Sequence, residues 1–294
     1  MNTIHLKAYA KINLGLDIVR KREDGYHEVK MIMQTIGLYD KLVIHKTSNP
    51  NITLKTNLPY LPEDMNNLVY KAAILMKERY GIKEGMHIRL EKKIPVSAGL
   101  AGGSTDAAAA LSGINQLFRL NLRQETLMAI GLELGADVPY CIMQGTALSE
   151  GIGEILTPLP PFPSCHVLIV KPNINVSTKY VYEHLKLDED TFHPNIDGII
   201  EHIKAKDLQG ATSLFSNLLE TVTIKEYPVI NKIKEQMLSH GAIVSLMSGS
   251  GPTVFGLFED NKAAENAFYQ FKVGEFGKQT YLTRIFHPIG KVSF

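Results

Sequence analysis

One glycine-rich stretch, PVSAGLAGGSTD at residues 95–106, decides how the middle of the chain folds. The residues before it, 87–91, have a strand-like pattern, and apolar residues at helical spacing follow from Ser104. Glycines let backbone N–H groups converge on an anion, and the first turn of a helix adds partial positive charge. The stretch therefore predicts either a phosphate-binding loop or a tight turn that permits close packing.

Two common nucleotide-binding motifs do not fit this stretch. It lacks the Gly-Lys-Ser/Thr end of a Walker A loop, and it lacks the Gly-x-Gly-x-x-Gly spacing of dinucleotide-binding folds. A second glycine-rich stretch, SGSGPT at 248–253, joins two apolar strands. Alone it predicts a hairpin loop, but two such loops in separate halves of a chain can hold a nucleoside triphosphate from both sides.

The N-terminal segment has the alternation of a β-strand. Every even position from Ile4 to Ile18 is apolar, which places Tyr9, Lys11 and Asn13 together on the other face. The segment is longer than a typical strand, so we expect a bend or division near Gly15. The remaining pattern predicts strands at 28–38, 41–45, 166–170, 242–247 and 253–258, and helices from Asn66 or Asn67 to Tyr80, and at 124–134, 196–220, 228–239 and 262–272.

The proline-rich sequence TPLPPFPS at 157–164 is the best candidate for a domain boundary, because it is stiff and poor in hydrogen-bond donors. We predict two domains, 1–158 and 159–294. Helices and strands do not alternate strictly, so the predicted class is α+β.

Composition excludes several kinds of protein. The 294 residues include 31 Lys plus Arg and 30 Asp plus Glu, a net charge of +1, which lacks the basic excess of a nucleic-acid binder. No segment has the pattern of a signal peptide or a membrane span. Cys141 and Cys165 lack metal-type spacing and are expected to be buried free thiols. We expect a cytoplasmic protein that binds neither nucleic acid nor membrane.

Two charged residues could support phosphoryl transfer. Asp137 follows the end of a predicted helix, and a carboxylate near a lysine can orient and deprotonate a hydroxyl that attacks a γ-phosphate. Lys11 is a candidate for that lysine. The alternatives are a turn-capping role for Asp137 and a solvated position for Lys11. Tyr26 and His27 follow a turn, and Tyr180 and Tyr182 alternate on an apparent strand or turn, so one of these tyrosines could stack on a base or pack in the core.

Together, these segments resemble the GHMP small-molecule kinases. The similarity covers nearly the whole chain and lies in the segment 8–14, the loop 95–109 and the loop 248–258, in the order found in that family. Within the family, the segments DGYHE at 24–28 and GADVP at 135–139 resemble the branch that acts on a cytidyl diphosphate sugar alcohol.

The resemblance implies a fold, an activity and a set of site residues. The fold would combine an N-terminal domain like ribosomal protein S5 domain 2 with a ferredoxin-like C-terminal domain. The reaction would transfer the γ-phosphoryl group of ATP, with Mg²⁺, to the 2-hydroxyl of the methylerythritol unit, a step of non-mevalonate isoprenoid precursor biosynthesis. Asp137 would be the catalytic base, and Lys11 would hold that carboxylate and stabilise developing charge.

The same resemblance implies binding roles. Asn13, Tyr26, His27 and Tyr182 would contact the acceptor, the last three at its cytidine end. The phosphate loop would consist of Pro95, Val96, Ser97, Ala98, Gly99, Leu100, Ala101, Gly102, Gly103, Ser104 and Thr105.

The loop departs from the broader family's Gly-Leu-Gly-Ser-Ser, since it reads GLAGG at 99–103. The metal ligands therefore stay open, with Ser104 or Thr105 as candidates. Another GHMP kinase that acts on homoserine, mevalonate or a sugar is one alternative, and a non-catalytic nucleotide- or RNA-binding module of the same fold is another. The oligomeric state, monomer or homodimer, is also open.

Overall fold

The computed structural model describes residues 2–288 of the chain, and these form two compact units. Neither unit is a continuous half of the sequence. The first contains the residues up to Ala10, Leu38–Val96 and Ala101–Met143, and the second contains Lys11–Gly37, Ser97–Leu100 and the chain from Gln144 onward. The predicted family-domain boundary between residues 158 and 159 stays a prediction. Within residues 2–288, no helix has the length and apolar character needed to cross a membrane.

Two long strands begin the chain. β1 spans Thr3–Lys21 and pairs with β2, which spans His27–Thr47 as one strand where the sequence predicted two. All the even-numbered apolar residues of β1 except Leu6 are buried, as the alternation predicts. The strand is not divided at Gly15. A Cβ there would lie 2.8 Å from the Ile199 side chain, so this glycine permits close packing on the strand.

The first unit combines a small mixed sheet with four helices. β3 (Ile52–Thr56) runs parallel to β4 (Gly85–Glu91), and β4 pairs antiparallel with residues 41–47 of β2. α2 packs against the other three helices. The helices are α1 (Leu68–Arg79), α2 (Gly102–Leu117), α3 (Gln124–Leu132) and α4 (Val138–Met143). The Asn67 side chain accepts the Val69 N–H, which confirms the predicted N-cap of α1.

The second unit contains two sets of paired strands. Residues 29–34 of β2 pair antiparallel with β5 (Thr146–Gly151), which pairs with β6 (Ile155–Pro158). A separate antiparallel sheet has the order β10-β7-β9-β8. Its strands are β7 (His166–Val170), β8 (Val244–Met247), β9 (Val254–Phe258) and β10 (Thr280–Arg284).

Helices cover this second sheet and connect its strands. α9 packs on β8 and β9, and α10 packs mainly on β7 and β10, an arrangement that fits the predicted ferredoxin-like half. The helices are α5 (Thr178–His184), α6 (Ile196–Lys204), α7 (Leu208–Ser213), α8 (Glu220–Glu226), α9 (Val229–Ser239) and α10 (Asn261–Val273). A short 3₁₀ turn, Gly277–Gln279, precedes β10.

Three sequence predictions need correction. The region 196–220 is interrupted at Lys206, which has φ +57°, and Asp207 then caps α7 through the Gly210 N–H. The start of the proline-rich connector belongs to β6, an exposed strand whose proline lies at its end. The segment with Tyr180 and Tyr182 is the helix α5, where the prediction was a strand or turn. Both cysteines are buried free thiols as predicted, and burial raises the pKa of Cys165 to about 12.

Candidate active site

The predicted phosphate loop has an unusual backbone. Ser97, Gly99 and Ala101 have φ angles of +50°, +73° and +55°, so left-handed residues alternate along the loop. Non-glycine residues rarely adopt this conformation, and such strain concentrates at functional sites. Alternation of this kind turns successive N–H groups toward a common concave surface that suits an anion. The φ angles of this loop thus follow the alternating pattern that is typical of anion-binding nests.

The N-terminus of α2 has no side-chain cap. Its N-cap residue is Ala101, whose methyl group cannot accept a hydrogen bond. The first amide groups of a helix need a partner, and an anion is the ligand that the helix dipole favours there. Gly103 is exposed, while Gly102 and Ser104 are partly exposed, so this helix end is open to solvent. It is free to receive a phosphate group.

The two hydroxyls that follow the glycines differ in their partners. The Thr105 hydroxyl is buried and donates to the Tyr9 carbonyl at 2.7 Å. The Ser104 hydroxyl makes no hydrogen bond with any residue in the 2–288 range. No group of three or more His, Cys, Asp or Glu in the same range could hold a metal ion. Of the two hydroxyls, that of Ser104 thus stays the better candidate for a metal ligand, because the Thr105 hydroxyl already donates to a carbonyl.

The second glycine-rich loop packs directly on residues 97–100. The Ser248 hydroxyl donates to the Gly99 carbonyl at 2.9 Å. A Cβ on Gly99 would collide with the Ser248 carbonyl oxygen, so this position accepts only glycine without rearrangement. The Asn217 amide donates to the carbonyls of Met247 and Gly249, both at 2.8 Å, and so fixes the second loop. The first loop is thus closely packed at Gly99, as one of its two alternatives predicts, and phosphate binding by this loop stays a prediction.

Lys11 and Asn13 lie beside residues 97–100. The Lys11 N–H donates to the Leu100 carbonyl at 3.2 Å, and its ammonium donates to the Asn13 amide oxygen at 2.8 Å. Lys11 is 5% exposed and Asn13 is fully buried, so the polar face of β1 is not solvated. Within the described residues, Lys11 forms no ion pair. A buried ammonium without a counter-ion is costly, which favours a role toward a ligand.

Asp137 lies in the turn between α3 and α4 and is partly exposed. Its backbone carbonyl accepts the Cys141 N–H at 3.1 Å. Its carboxylate forms no hydrogen bond or ion pair with residues 2–288, so the turn-capping alternative lacks the contact it requires. The carboxylate is thus available to a substrate. Asp137 belongs to the first unit and Lys11 to the second, and their predicted meeting stays a prediction.

The aromatic residues at the predicted cytidine end fall into two separate pairs. The rings of His27 and Tyr182 lie 5.1 Å apart at 49°, whereas Tyr180 stacks on His184 at 3.9 Å. Positions two apart on a helix face different directions. Burial, followed by the charge of Lys21, lowers the pKa of His27, which favours its neutral form. Tyr26 is 60% exposed at the start of this segment. Tyr182, and not Tyr180, is thus the tyrosine that pairs with His27, and its contact with a cytosine stays a prediction.

Sequence reasoning missed a buried ion cluster in the first unit. Lys92, just after β4, contacts Asp40 of β2 and Asp106 of α2. Asp106 belongs to the glycine-rich stretch, but nothing in the local pattern indicates that its carboxylate is buried with a lysine. Asn217 was also missed, since a lone asparagine between helices carries no motif. Only tertiary contacts identify these residues.

Comparisons with known proteins identify the family of this chain. The family model described as the GHMP kinases N terminal domain matches residues 67–145, and the one described as GHMP kinases C terminal matches residues 199–274. The chain therefore belongs to the GHMP kinase family. The predicted α+β fold and the predicted class of enzyme, a small-molecule kinase, are confirmed.

The relatives define a narrower group. A protein of Lachnoclostridium phytofermentans named 4-diphosphocytidyl-2-C-methyl-D-erythritol kinase is 63% identical over 97% of this chain and 98% of its own length. A protein of Lachnospira eligens with the same name is 55% identical over 98% of this chain and its full length, 100%. A crystal structure of 4-(cytidine 5'-diphospho)-2C-methyl-D-erythritol kinase has a TM-score of 0.82 at 32% identity, covering 97% of this chain and 100% of that one.

Other predictions stay predictions. The cytoplasmic location, the absence of nucleic-acid binding and the choice between monomer and homodimer depend on observations outside a single chain.

Proposed function

We propose that this chain transfers the γ-phosphoryl group of ATP to the 2-hydroxyl of 4-diphosphocytidyl-2-C-methyl-D-erythritol, giving the 2-phosphate and ADP. The observation that carries the proposal is the uncapped, solvent-open N-terminus of α2 beside the alternating left-handed backbone at Ser97, Gly99 and Ala101. Backbone N–H groups arranged in this way suit a polyphosphate. The names of the relatives at 63% and 55% identity support the choice of acceptor.

In this proposal, residues 95–105 bind the ATP phosphates. The acceptor oxygen attacks the γ-phosphorus, the bond between that phosphorus and the ADP oxygen breaks, and the hydroxyl proton moves to the Asp137 carboxylate. Phosphoryl transfer needs mainly in-line positioning and neutralisation of oxygen charge. The Lys11 ammonium, which lacks an ion pair within the described residues, stabilises the charge on the transferring group.

The proposal includes Mg²⁺ as the usual partner of ATP phosphates. Mg²⁺ retains several waters and takes few protein ligands, so a site with one free hydroxyl, Ser104, fits it. When bound, the ion would neutralise charge on the β- and γ-phosphate oxygens. Thr105 is a poorer candidate ligand because its hydroxyl already donates to the Tyr9 carbonyl.

The acceptor would be recognised at two places. Asn13, on the face of β1 beside Lys11, is proposed to contact the methylerythritol unit. Tyr26, His27 and Tyr182 are proposed to bind the cytosine ring, with Tyr182 as the stacking surface. A neutral imidazole has one hydrogen-bond donor and one acceptor, and the lowered pKa of His27, caused by burial and by the charge of Lys21, favours this form. Such a ring suits the polar edge of a nucleobase.

An acceptor panel tests the proposed function. ADP release would be measured with purified protein, ATP and Mg²⁺ against the cytidyl substrate, homoserine, mevalonate and galactose. We expect turnover with the cytidyl substrate and background rates with the other three. Turnover with homoserine or mevalonate but not with the cytidyl substrate would assign a different GHMP kinase activity. ATP binding without phosphorylation of any acceptor would favour the non-catalytic module.

A further inference from the structure

The buried ion cluster of the first unit, Asp40, Lys92 and Asp106, joins three elements around the phosphate loop. The Lys92 ammonium lies 2.7 Å from the Asp106 carboxylate and also contacts the Asp40 carboxylate. The three side chains are 4% exposed or less. Burying three charges is expensive, and replacing such a group by apolar residues is often neutral or stabilising. A contribution to stability alone therefore does not explain this buried cluster.

Asp40 also holds the chain that leads into the loop. One oxygen of its carboxylate accepts the backbone N–H groups of Lys93 and Ile94. The next residue, Pro95, begins the loop. The carboxylate that pairs with Lys92 thus fixes the position of the incoming segment.

At the C-terminal end of the loop, the Lys92 ammonium lies directly against the first residue of α2. A Cβ built on Gly102 would be 3.1 Å from the Lys92 Nζ and 3.2 Å from the Ile94 side chain. Gly102 is the first residue of the uncapped helix end. A positive charge at this point adds to the partial positive charge of the helix N-terminus. The charge of Lys92 lies in the protein interior, where charges are only weakly screened.

The buried Asp106 carboxylate depends on Lys92 for its hydrogen bond and its counter-ion. One of its two carboxylate oxygens is buried without a hydrogen-bond partner among residues 2–288, and the other contacts Lys92. The same ammonium also contacts the Asp40 carboxylate, so the two buried carboxylates share one lysine. Lys92 is the only cation that offsets these two carboxylates within the described residues. Without it, their negative charge would face the helix end where a phosphate is expected.

We propose that Lys92 is a positioning residue for nucleotide binding: it ties the two ends of the phosphate loop together and offsets the charge of Asp40 and Asp106 beneath Gly102. Lys92 does not contact the nucleotide in this proposal, and it acts through the backbone amides of the loop. The inference rests on the proposed function, because it assumes that the anion bound by these amides is an ATP phosphate.

The test compares two variants of the cluster that leave at most one buried charge without a counter-ion. Asp106→Asn retains the Lys92–Asp40 pair, and Asp106→Asn with Lys92→Met removes the ammonium. Asp40 keeps its two backbone donors in both variants, so the double variant leaves no carboxylate without a hydrogen bond. Binding of a non-hydrolysable ATP analogue would be measured by calorimetry without acceptor, and KM for ATP, KM for acceptor and kcat would be measured by ADP release.

We expect the double variant to bind the ATP analogue about 10-fold more weakly than Asp106→Asn, the scale of one charge acting at a helix end. KM for ATP should rise by a similar factor, while kcat and KM for the acceptor should change by less than about 3-fold, because only nucleotide binding loses the charge. Lys55→Met, which removes an exposed lysine paired with Glu63 in the same unit, should leave all four values unchanged.

Equal binding of the analogue by the two variants, with both folded by circular dichroism, would overturn the positioning role. A parallel loss in kcat and in both KM values would overturn it as well, because that pattern indicates general structural damage. If the wild-type protein itself failed to bind the analogue, the proposed function would be wrong, and this outcome is separate from a difference between variants.

Discussion

Lys11 and Lys92 are both buried lysines, and they differ in what surrounds the ammonium. Lys92 contacts two carboxylates, whereas Lys11 donates to one neutral amide oxygen and forms no ion pair within the described chain. Their burial is similar, since as whole residues Lys92 is 9% exposed and Lys11 is 5% exposed. Burial alone therefore does not distinguish these two lysines. The set of partners does.

The aspartates show the same contrast. Asp106 is 2% exposed and paired with a lysine, while Asp137 is partly exposed and its carboxylate has no partner among residues 2–288. A general base needs a carboxylate that can reach the proton it removes. Asp137 is accessible from solvent and is proposed for this role, whereas Asp106 is buried against Lys92. In each pair of residues, the group without an ion pair among residues 2–288 is the one proposed for chemistry.

The largest effect is expected for Lys92→Met. Two buried carboxylates would lose their counter-ion, and removing one partner of a buried ion pair typically lowers the free energy of unfolding by about 3–5 kcal/mol. Urea unfolding at neutral pH measures this loss. Lys55→Met, at an exposed pair, should cost less than about 1 kcal/mol. Equal costs for the two variants would remove the distinction between a paired buried lysine and a surface lysine.

Asp137→Asn should lower kcat by about 100-fold or more, the scale of a lost general base. The binding of ATP and acceptor should persist, and the thermal midpoint should not move, because the carboxylate has no contact to lose within residues 2–288. Asp190→Asn, at an exposed loop residue without an ion pair, is the matched control. Near-normal turnover of the Asp137 variant would exclude this residue as the base.

Lys11→Met should lower activity without the loss of stability that is expected for Lys92→Met. We expect kcat to fall by about 100-fold, since the variant loses a charge that stabilises the transferring phosphoryl group. The free energy of unfolding should stay the same or increase, because an apolar side chain replaces a buried ammonium without a counter-ion. Full turnover with the wild-type dependence on metal concentration would contradict the role of Lys11.

Tyr182→Leu should raise KM for the acceptor by about 10-fold, because base stacking on an aromatic ring contributes about 1–3 kcal/mol. KM for ATP should change little. Tyr180→Leu alters the neighbouring ring that stacks on His184 and should leave both KM values near those of the wild type. If the two tyrosine variants behave in the opposite way, the cytosine contact belongs to Tyr180.

Asp106→Asn should give the smallest effect, a change in the pH dependence of stability. Burial raises the pKa of Asp106 above its ordinary value of 3.8, so the folded protein holds this proton more strongly than the unfolded chain does. The contribution of this proton is complete below the unfolded pKa and declines as pH rises through the folded pKa. Relative to the wild type, the variant should therefore gain stability as pH rises. Urea unfolding from about pH 4 to pH 8 measures the difference.

Local patterns predicted several elements well. The alternation in residues 4–18, the Asn67 cap and the strand at 166–170 agree with β1, α1 and β7. These elements depend on short-range regularities that a sequence displays directly. The errors occurred where tertiary contacts or single residues override the pattern, as at Lys206, which interrupts the region 196–220, and in the helix that carries Tyr182.

The candidate site divides in the same way. The sequence by itself determined the residue types of the two glycine-rich loops and, through their order along the chain, the kinase family. Only the tertiary structure decided which polar groups are paired: Lys92 with two aspartates, Thr105 with the Tyr9 carbonyl, and Ser248 with Gly99. The physical reason is that a side chain's availability depends on burial and on neighbours distant in sequence, which no local pattern records.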